Sequence, residues 1–139
     1  MSEISTGNVA RYCKPMTLDE NKKPTSAAFQ KRVQHDEKYL SVYLLEFFQK
    51  HTEQENVSET KKYMEEERDF TFKANGSFAV INIEFSKKYI FDIISQQIYY
   101  REENLPHCGI FHDAVDLVIA ELLAQCVKNT YLVKDINES

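Results

Sequence analysis

The chain has 139 residues, of which 42% are hydrophobic and 12% aromatic, and its formal net charge is −5. This length suits one domain with a substantial core, and the composition excludes global disorder. No apolar run approaches the roughly 20 residues that span a bilayer, and the N-terminus lacks the basic and apolar parts of a signal peptide. We therefore expect a cytoplasmic protein with no membrane partner. The negative charge also disfavours nucleic acid as the main partner.

The two ends of the chain are polar, and the part between them predicts a single globular domain. Residues 1–8 predict a flexible N-terminus, residues 9–134 the domain, and residues 135–139 a polar tail. Within the domain, residues 9–15 form a short semi-apolar piece that ends at a proline. Residues 24–33 predict a short helix with a proline in its first turn.

Residues 39–48 form a strongly apolar block with an ambiguous pattern. Leu40, Val42 and Leu44 alternate as in a strand, whereas the apolar residues of 44–48 also suit a helix. We predict a short strand that turns into a helix near Val42 or Tyr43, and this helix ends around His51. An unbroken helix is the alternative, so residues 38–44 can be strand or helix.

The middle of the chain predicts one helix and several strands. Residues 57–68 predict a helix because Asn56 or Ser58 can serve as its N-cap. β-Branched and aromatic residues make 78–85 the clearest strand. Further strands are predicted at residues 69–73, 89–94, 97–100 and 131–133.

Residues 113–128 predict a long C-terminal core helix. They contain no Gly or Pro, and a broad apolar face recurs at helical spacing, formed by Val115, Ile119, Leu122, Leu123, Cys126 and Val127. The predicted fold class is therefore α+β. We expect one small, mostly antiparallel sheet packed against two to four helices, including this long C-terminal one.

The densest group of reactive side chains directly precedes this predicted helix. A thiol near a helix N-terminus can have a lowered pKa, so Cys108 is a candidate nucleophile with His107 or His112 as its base. Gly109 would allow a ligand to approach the backbone closely. The alternative is a half-buried thiol without function, because no local signature of a thiol enzyme is present.

A zinc site is a further interpretation of the same residues. Its ligands would be His107, Cys108 and His112, together with Cys13, His35 or His51. No Cys-x-x-Cys pair or closely spaced histidine pair supports it, so we predict no metal and no cofactor. The odd number of three cysteines likewise predicts reduced thiols and no disulfide framework.

Three charged residues stand out as candidate ligand-binding groups. Asp116 would be the third residue of a helix capped by Asp113, or else a buried carboxylate beside His107 or Arg11. Arg11 near a helix N-terminus would form an anion pocket, although a surface ion pair is the simpler interpretation. Glu46 lies among apolar residues and either faces solvent or pairs with an arginine.

Three short motifs, Arg11-Tyr12-Cys13, Leu40-Ser41-Val42 with Glu46, and His107-x-Gly109-Ile110 ahead of Asp116, resemble a pattern in small uncharacterised bacterial proteins. The resemblance covers residues 9 to about 124. In that pattern Asn-Trp follows the Leu-Ser-Val block, where this chain has Tyr43-Leu44. It implies a bacterial origin and a single-domain unit. It also implies one shared constellation, formed by Arg11, Ser41, Glu46, His107, Gly109 and Asp116.

Two functional hypotheses follow from these patterns. The first is a small cytoplasmic accessory or interaction protein with a protein partner, a non-catalytic subunit of a bacterial multi-component or mobile-element, defence-type system. The lack of a complete catalytic motif and the aromatic content favour it. The alternative is a small enzyme or anionic-ligand binder that uses His107, Cys108, Asp116 and Arg11 in hydrolytic or phosphate-ligand chemistry.

Overall fold

A six-stranded antiparallel sheet forms the centre of the protein. The computed structural model describes residues 2–31 and 38–136. The strands are β1 (Asn8–Cys13), β2 (Leu40–Leu44), β3 (Ser77–Asn82), β4 (Tyr99–Asn104), β5 (His107–Phe111) and β6 (Val127–Leu132). Their order across the sheet is β4-β5-β2-β1-β3-β6, and every neighbouring pair is antiparallel. The predicted α+β class and the antiparallel sheet are confirmed.

Three α-helices pack on this sheet within the described residues. They are α1 (Glu53–Arg68), α2 (Ile83–Ile94) and α3 (Asp116–Gln125). Short 3-10 helices lie at Pro15–Thr17, Ser26–Phe29, Leu45–Phe48 and Val133–Asp135. None of the helices in the described ranges is long and apolar enough to span a membrane.

The sheet buries side chains on both faces because successive strand residues point to opposite sides. One face packs against α2 and α3, where Val42, Ile81 and Cys108 meet Ile90 and Ile119. The other packs against α1, where its main contributors are Ala10, Tyr43, Phe78, Val80, Val57 and Met64. Each fully buried aliphatic side chain contributes about 2 kcal/mol, so these two clusters stabilise the layered arrangement.

The block at residues 39–48 forms a strand followed by a helical turn, as predicted. β2 ends at Leu44, and the 3-10 helix Leu45–Phe48 follows directly. Gln49 adopts φ 53°, a left-handed conformation that ends the helical turn. An unbroken helix over this block is therefore wrong. Leu40 and Val42 pack on one face of the sheet, and Tyr43 packs on the other.

The predicted strand at residues 89–94 is wrong, since these residues complete α2. Asn82 caps this helix by accepting a hydrogen bond from the Phe85 amide at 2.8 Å. Ile83, Ser86 and Ile90 face the core at helical spacing, but Phe91 and other apolar residues of α2 are exposed. Those exposed apolar residues hid the helical period in the sequence. The predicted strand at 78–85 accordingly ends at Asn82.

Several element boundaries also differ from the predictions. Helix α1 begins at Glu53, because Thr52 rather than Asn56 or Ser58 caps it and accepts from the Glu55 amide. Residues 69–73 contain no strand. The helix predicted at 24–33 is a 3-10 turn at Ser26–Phe29, and residues 32 and 33 lie outside the described ranges.

The predicted long C-terminal helix is not confirmed. Helix α3 has 10 residues, begins after Val115 and ends at Gln125. Residues 127–132 then form β6, which pairs with the outer edge of β3. This pairing satisfies the amide and carbonyl groups along the edge of β3. A longer helix would leave those groups without strand partners. The strand predicted at 131–133 is therefore the end of β6.

The N-terminal residues lie against the opposite edge of the sheet. The Ile4 amide donates to the Tyr100 carbonyl at 2.7 Å, and the Glu102 amide donates to the Ser2 carbonyl at 3.0 Å. These hydrogen bonds tie part of the segment predicted to be flexible to β4. The domain limits at residues 9 and 134 stay predictions.

Candidate functional site

The sheet opens between its two central strands, β1 and β2. These strands are paired only at Val9 with Leu44 and at Ala10 with Tyr43, although both extend further. β1 then pairs fully with β3, and β2 pairs with β5 along its other edge. The strands therefore separate from Arg11 onward and leave an opening in the middle of the sheet.

The Arg11 side chain bridges this opening. Its Nε donates to the Ala28 carbonyl at 2.6 Å, and its Nη1 donates to the Ser41 carbonyl at 2.7 Å. A guanidinium offers several donors in a fixed plane, so it can replace backbone pairing that the separated strands no longer provide. Arg11 consequently holds β2 to the 3-10 turn below the sheet. These two hydrogen bonds give Arg11 a structural role.

A cavity of about 340 Å³ lies at this opening. Three basic residues line it, namely Arg11, Lys14 and Arg68. Ser41, Tyr12 and Tyr43 also line it, together with Met64 and Phe70. Among its lining residues in the described ranges there is no aspartate or glutamate. The lining is therefore cationic although the whole chain carries a charge of −5.

A serine–histidine pair adjoins the cavity. Ser41 Oγ lies 3.0 Å from His107 Nε2. Burial, together with the smaller effect of the nearby positive charge of Arg68, lowers the pKa of His107 to about 4. A histidine that resists protonation this strongly is a poor general base. The pair thus fits a fixed hydrogen bond better than an activated nucleophile.

Arg68 approaches the cavity from the C-terminal end of α1. Its Nη1 donates to the Tyr43 hydroxyl at 3.0 Å, and its guanidinium carbon lies 6.0 Å from the centre of the Tyr43 ring. Burial raises the pKa of Tyr43, so this hydroxyl stays protonated and can itself donate to an anion. Arg68 is exposed and so accessible to a ligand.

Gly109 lies beside Ser41 because these residues face each other in the β2–β5 pair. The Tyr39 ring packs directly on the Gly109 backbone, since a Cβ placed there would lie 2.5 Å from Tyr39 Cδ1 and 2.9 Å from Phe111 Cε1. The glycine is thus required by close packing of rings on the strand. The predicted role of Gly109 in ligand approach stays untested.

Replacing Gly109 by alanine should destabilise the protein by about 2 kcal/mol, because the added methyl group overlaps the rings of Tyr39 and Phe111. Equilibrium urea unfolding would measure the loss, and tyrosine fluorescence would report the displaced ring. Unchanged stability and fluorescence would contradict the packing that we describe.

Cys108 does not share a site with its neighbour His107. The two are consecutive on β5, so their side chains point to opposite faces, and Cys108 lies fully buried against α2 and α3. Its Sγ is 3.5 Å from the Pro106 carbonyl, and burial raises its pKa to about 12. The burial of the thiol and its raised pKa both oppose the predicted role of Cys108 as a nucleophile. The same arrangement opposes the zinc interpretation, since ligands on opposite faces of the sheet cannot hold one ion.

All three cysteines should resist alkylation in the native protein. Burial raises the pKa of Cys13 and Cys108 to about 12 and that of Cys126 to about 11. Iodoacetamide at pH 7.5 should modify each at least about a hundredfold more slowly than free cysteine, because the thiolate is scarce and enclosed. Mass spectrometry would follow the reaction, with the urea-unfolded protein as control. Rapid modification of any one cysteine would refute this.

Asp116 is the first residue of α3 and is not among the residues that line the cavity. Its Oδ2 accepts from the Lys31 amide at 3.1 Å, and its Oδ1 is 3.5 Å from His112 Nε2. The predicted capping box with Asp113 is wrong because Val115 is the N-cap and Asp116 the first helical residue. The contacts described for its carboxylate are with Lys31 and His112 rather than with His107 or Arg11. The side chain of His112 is only 3% exposed, and burial lowers its pKa.

Glu46 lies in the 3-10 helix that follows β2 and binds Asn8, the first residue of β1. Its two carboxylate oxygens accept from the backbone amide and side-chain amide of Asn8, each at 2.8 Å. A pair with Arg11 is not formed. Four of the six residues grouped by the resemblance therefore meet around Ser41, namely Arg11, Ser41, His107 and Gly109, whereas Glu46 and Asp116 lie elsewhere.

Sequence reasoning missed Arg68, Lys14 and Tyr43 as cavity residues. Arg68 follows a run of three glutamates, so it looked like part of a solvated helix face. The signal that was available is its place in the last turn of α1, where cations are favoured, close to the aromatic residues that follow. Within the described residues, no group of three or more His, Cys, Asp or Glu is placed to hold a metal ion.

Comparison with known proteins gives no family, since no family model, no curated protein and no solved structure matches this chain.

Proposed function

We propose that this protein is a non-catalytic binding protein whose cavity between β1 and β2 binds an anionic group. The observation that carries the proposal is the basic lining, in which the exposed Lys14 and Arg68 lie beside Arg11. Guanidinium and hydroxyl donors together are the usual ligands of phosphate and carboxylate. The accessory or interaction role expected from the sequence is retained with this site as its recognition element.

Catalysis is the weaker alternative for three reasons. Cys108 is buried on the opposite face, and Asp116 contacts His112 and does not line the cavity. The remaining candidate pair, Ser41 with His107, has a histidine whose pKa of about 4 opposes proton uptake. An anion bound beside it needs only donors, which Arg68 and Tyr43 supply.

The protein partner predicted from the sequence stays part of the proposal. Exposed apolar side chains on α2 and α3 supply surface for such a contact, with Leu117 56% and Phe85 55% exposed. The role in a bacterial multi-component system and the cytoplasmic location are also part of this proposal.

Titration with inorganic phosphate tests the anion site. Wild-type protein should bind phosphate or pyrophosphate with millimolar affinity or better, measured by calorimetry at constant ionic strength. The Arg68→Gln variant should bind about tenfold more weakly, because a charge-assisted donor is lost. Lys62→Gln is the matched control, since Lys62 is exposed on the same helix but does not line the cavity.

Two results would refute the proposal. One is the absence of phosphate and pyrophosphate binding at 10 mM ligand, well above the expected dissociation constant. The other is an equal loss of affinity in the Arg68 and Lys62 variants, which would show general charge attraction rather than a site.

A further inference from the structure

A continuous row of rings extends from the cavity across the sheet toward its β4 edge. We call it the ring row, and its members are Tyr43, His107, Tyr39, Phe111 and Tyr99. Ring centres are 5.4 Å apart between Tyr43 and His107, 5.9 Å between His107 and Tyr39, and 5.0 Å between Tyr39 and Phe111. All lie on the face that carries Ser41, because strand residues alternate.

Two arginines are interleaved with the ring row. The guanidinium carbon of Arg101 lies 5.1 Å from the Phe111 ring centre and 5.4 Å from that of Tyr99. Arg68 occupies the other end, over Tyr43. Both guanidinium groups therefore lie over aromatic rings. In the described part of the chain, the one side-chain hydrogen bond of the two groups is that from Arg68 to the Tyr43 hydroxyl. Such an arrangement suits contact with phosphate and base together.

The rings at the centre of the row pack closely on the sheet because Gly109 has no side chain. The Tyr39 ring covers the Gly109 backbone, and Arg101 pairs with Gly109 on the neighbouring strand. Tyr99, Phe111 and Arg101 are half-buried, so each is held by its neighbours but keeps solvent-accessible surface. The three strands β2, β5 and β4 together extend about 10 Å across the sheet, which is wider than a single base.

We infer that the ligand of the cavity is a nucleotide unit, with its phosphate at Arg68 and Lys14 and its base stacked on the outer part of the ring row. This inference rests on the proposed anion site and names its ligand class. Stacking on aromatic side chains contributes about 1–3 kcal/mol per base, and arginines beside the rings complement the phosphate charge. The net charge of −5 disfavours nucleic acid overall, but the charges along this face are locally positive at Arg68 and Arg101.

The decisive comparison is between ligands with and without a base. Uridine monophosphate should bind the wild-type protein about tenfold more tightly than ribose 5-phosphate, measured by calorimetry, since only the former can stack. A 12-residue oligouridylate distinguishes the source of the unit. Affinity about a hundredfold above that of the mononucleotide indicates a single strand, and equal affinity indicates a free nucleotide.

Variants of the ring row separate stacking from anion binding. Arg101→Gln and Phe111→Leu should weaken binding of uridine monophosphate about fivefold to tenfold and leave that of ribose 5-phosphate unchanged. Arg101 is half-buried at the sheet edge, so its variant remains informative if Phe111→Leu fails to fold. Lys88→Gln is the control, because Lys88 lies exposed on α2 on the other face of the sheet.

Equal affinity for the two monophosphates, or nucleotide binding that ignores both ring-row variants, would overturn the inference. If ribose 5-phosphate still depended on Arg68 in that case, the anion site would stand and only the nucleotide assignment would fall. If neither monophosphate bound at 10 mM, both would fall.

Discussion

Replacing Arg11 by methionine should lower the free energy of unfolding by about 3 kcal/mol. Arg11 donates to the carbonyl oxygens of Ala28 and Ser41 at 2.6 and 2.7 Å, where β1 and β2 have separated. Methionine preserves much of the volume but donates nothing, so two partly buried carbonyls lose their charged partner. Each such loss costs about 1–3 kcal/mol, reduced where water can enter the cavity.

Equilibrium urea unfolding would measure this change, with two controls. Arg11→Lys keeps the charge but reaches one carbonyl at most, so its stability should be intermediate. Lys14 lines the same cavity but is exposed, so Lys14→Met should change the free energy of unfolding by less than about 0.5 kcal/mol. Stability of Arg11→Met within that margin of wild type would show that the bridge is not needed to hold the opening together.

The protein should lose about 2.5 kcal/mol of stability through His107 as the pH falls from 7 to 4.5. Burial and Arg68 lower the pKa of His107 to about 4 in the folded state, whereas an unfolded histidine titrates near 6.5. Between these values the unfolded state binds more protons, so acid favours unfolding. The loss therefore begins near pH 6.5 and is nearly complete at pH 4.

Urea unfolding across this pH range, with two histidine variants, would test the assignment. His107→Gln preserves a polar partner for Ser41 but cannot titrate, so its stability should fall by about 2 kcal/mol less than that of wild type over the same range. His51→Gln should keep the wild-type slope, because His51 is exposed. The lowered pKa of His112 contributes in every variant and cancels in the comparison. Identical slopes for wild type and His107→Gln would refute the prediction.

The chain's local patterns were sufficient to predict the α+β class and several elements. Alternation at Leu40, Val42 and Leu44 identified β2, and the helix signals before Arg68 identified α1. These predictions succeeded because strand and helix periods are properties of neighbouring residues. They failed at 89–94, where exposed apolar residues of α2 imitate a strand, and at the C-terminal helix, which β6 interrupts to pair with β3.

The residues of the candidate site were likewise predicted only in part. The sequence identified Arg11, Ser41, His107 and Gly109 as a group through the resemblance. It also grouped Cys108 with His107 because they are adjacent in the chain. Adjacency on a strand places side chains on opposite faces, so the fold removes Cys108 from the site.

The sequence by itself determined the layered α+β class, the apolar blocks that build the core and most residues around Ser41. Only the tertiary structure decided that β1 and β2 separate, that Arg68 joins Arg11 and Lys14 at the opening, and that Glu46 and Asp116 lie elsewhere. The reason is physical: periodicity fixes which way a side chain points within its own element. Strand pairing and register, set by contacts between distant segments, decide which side chains meet.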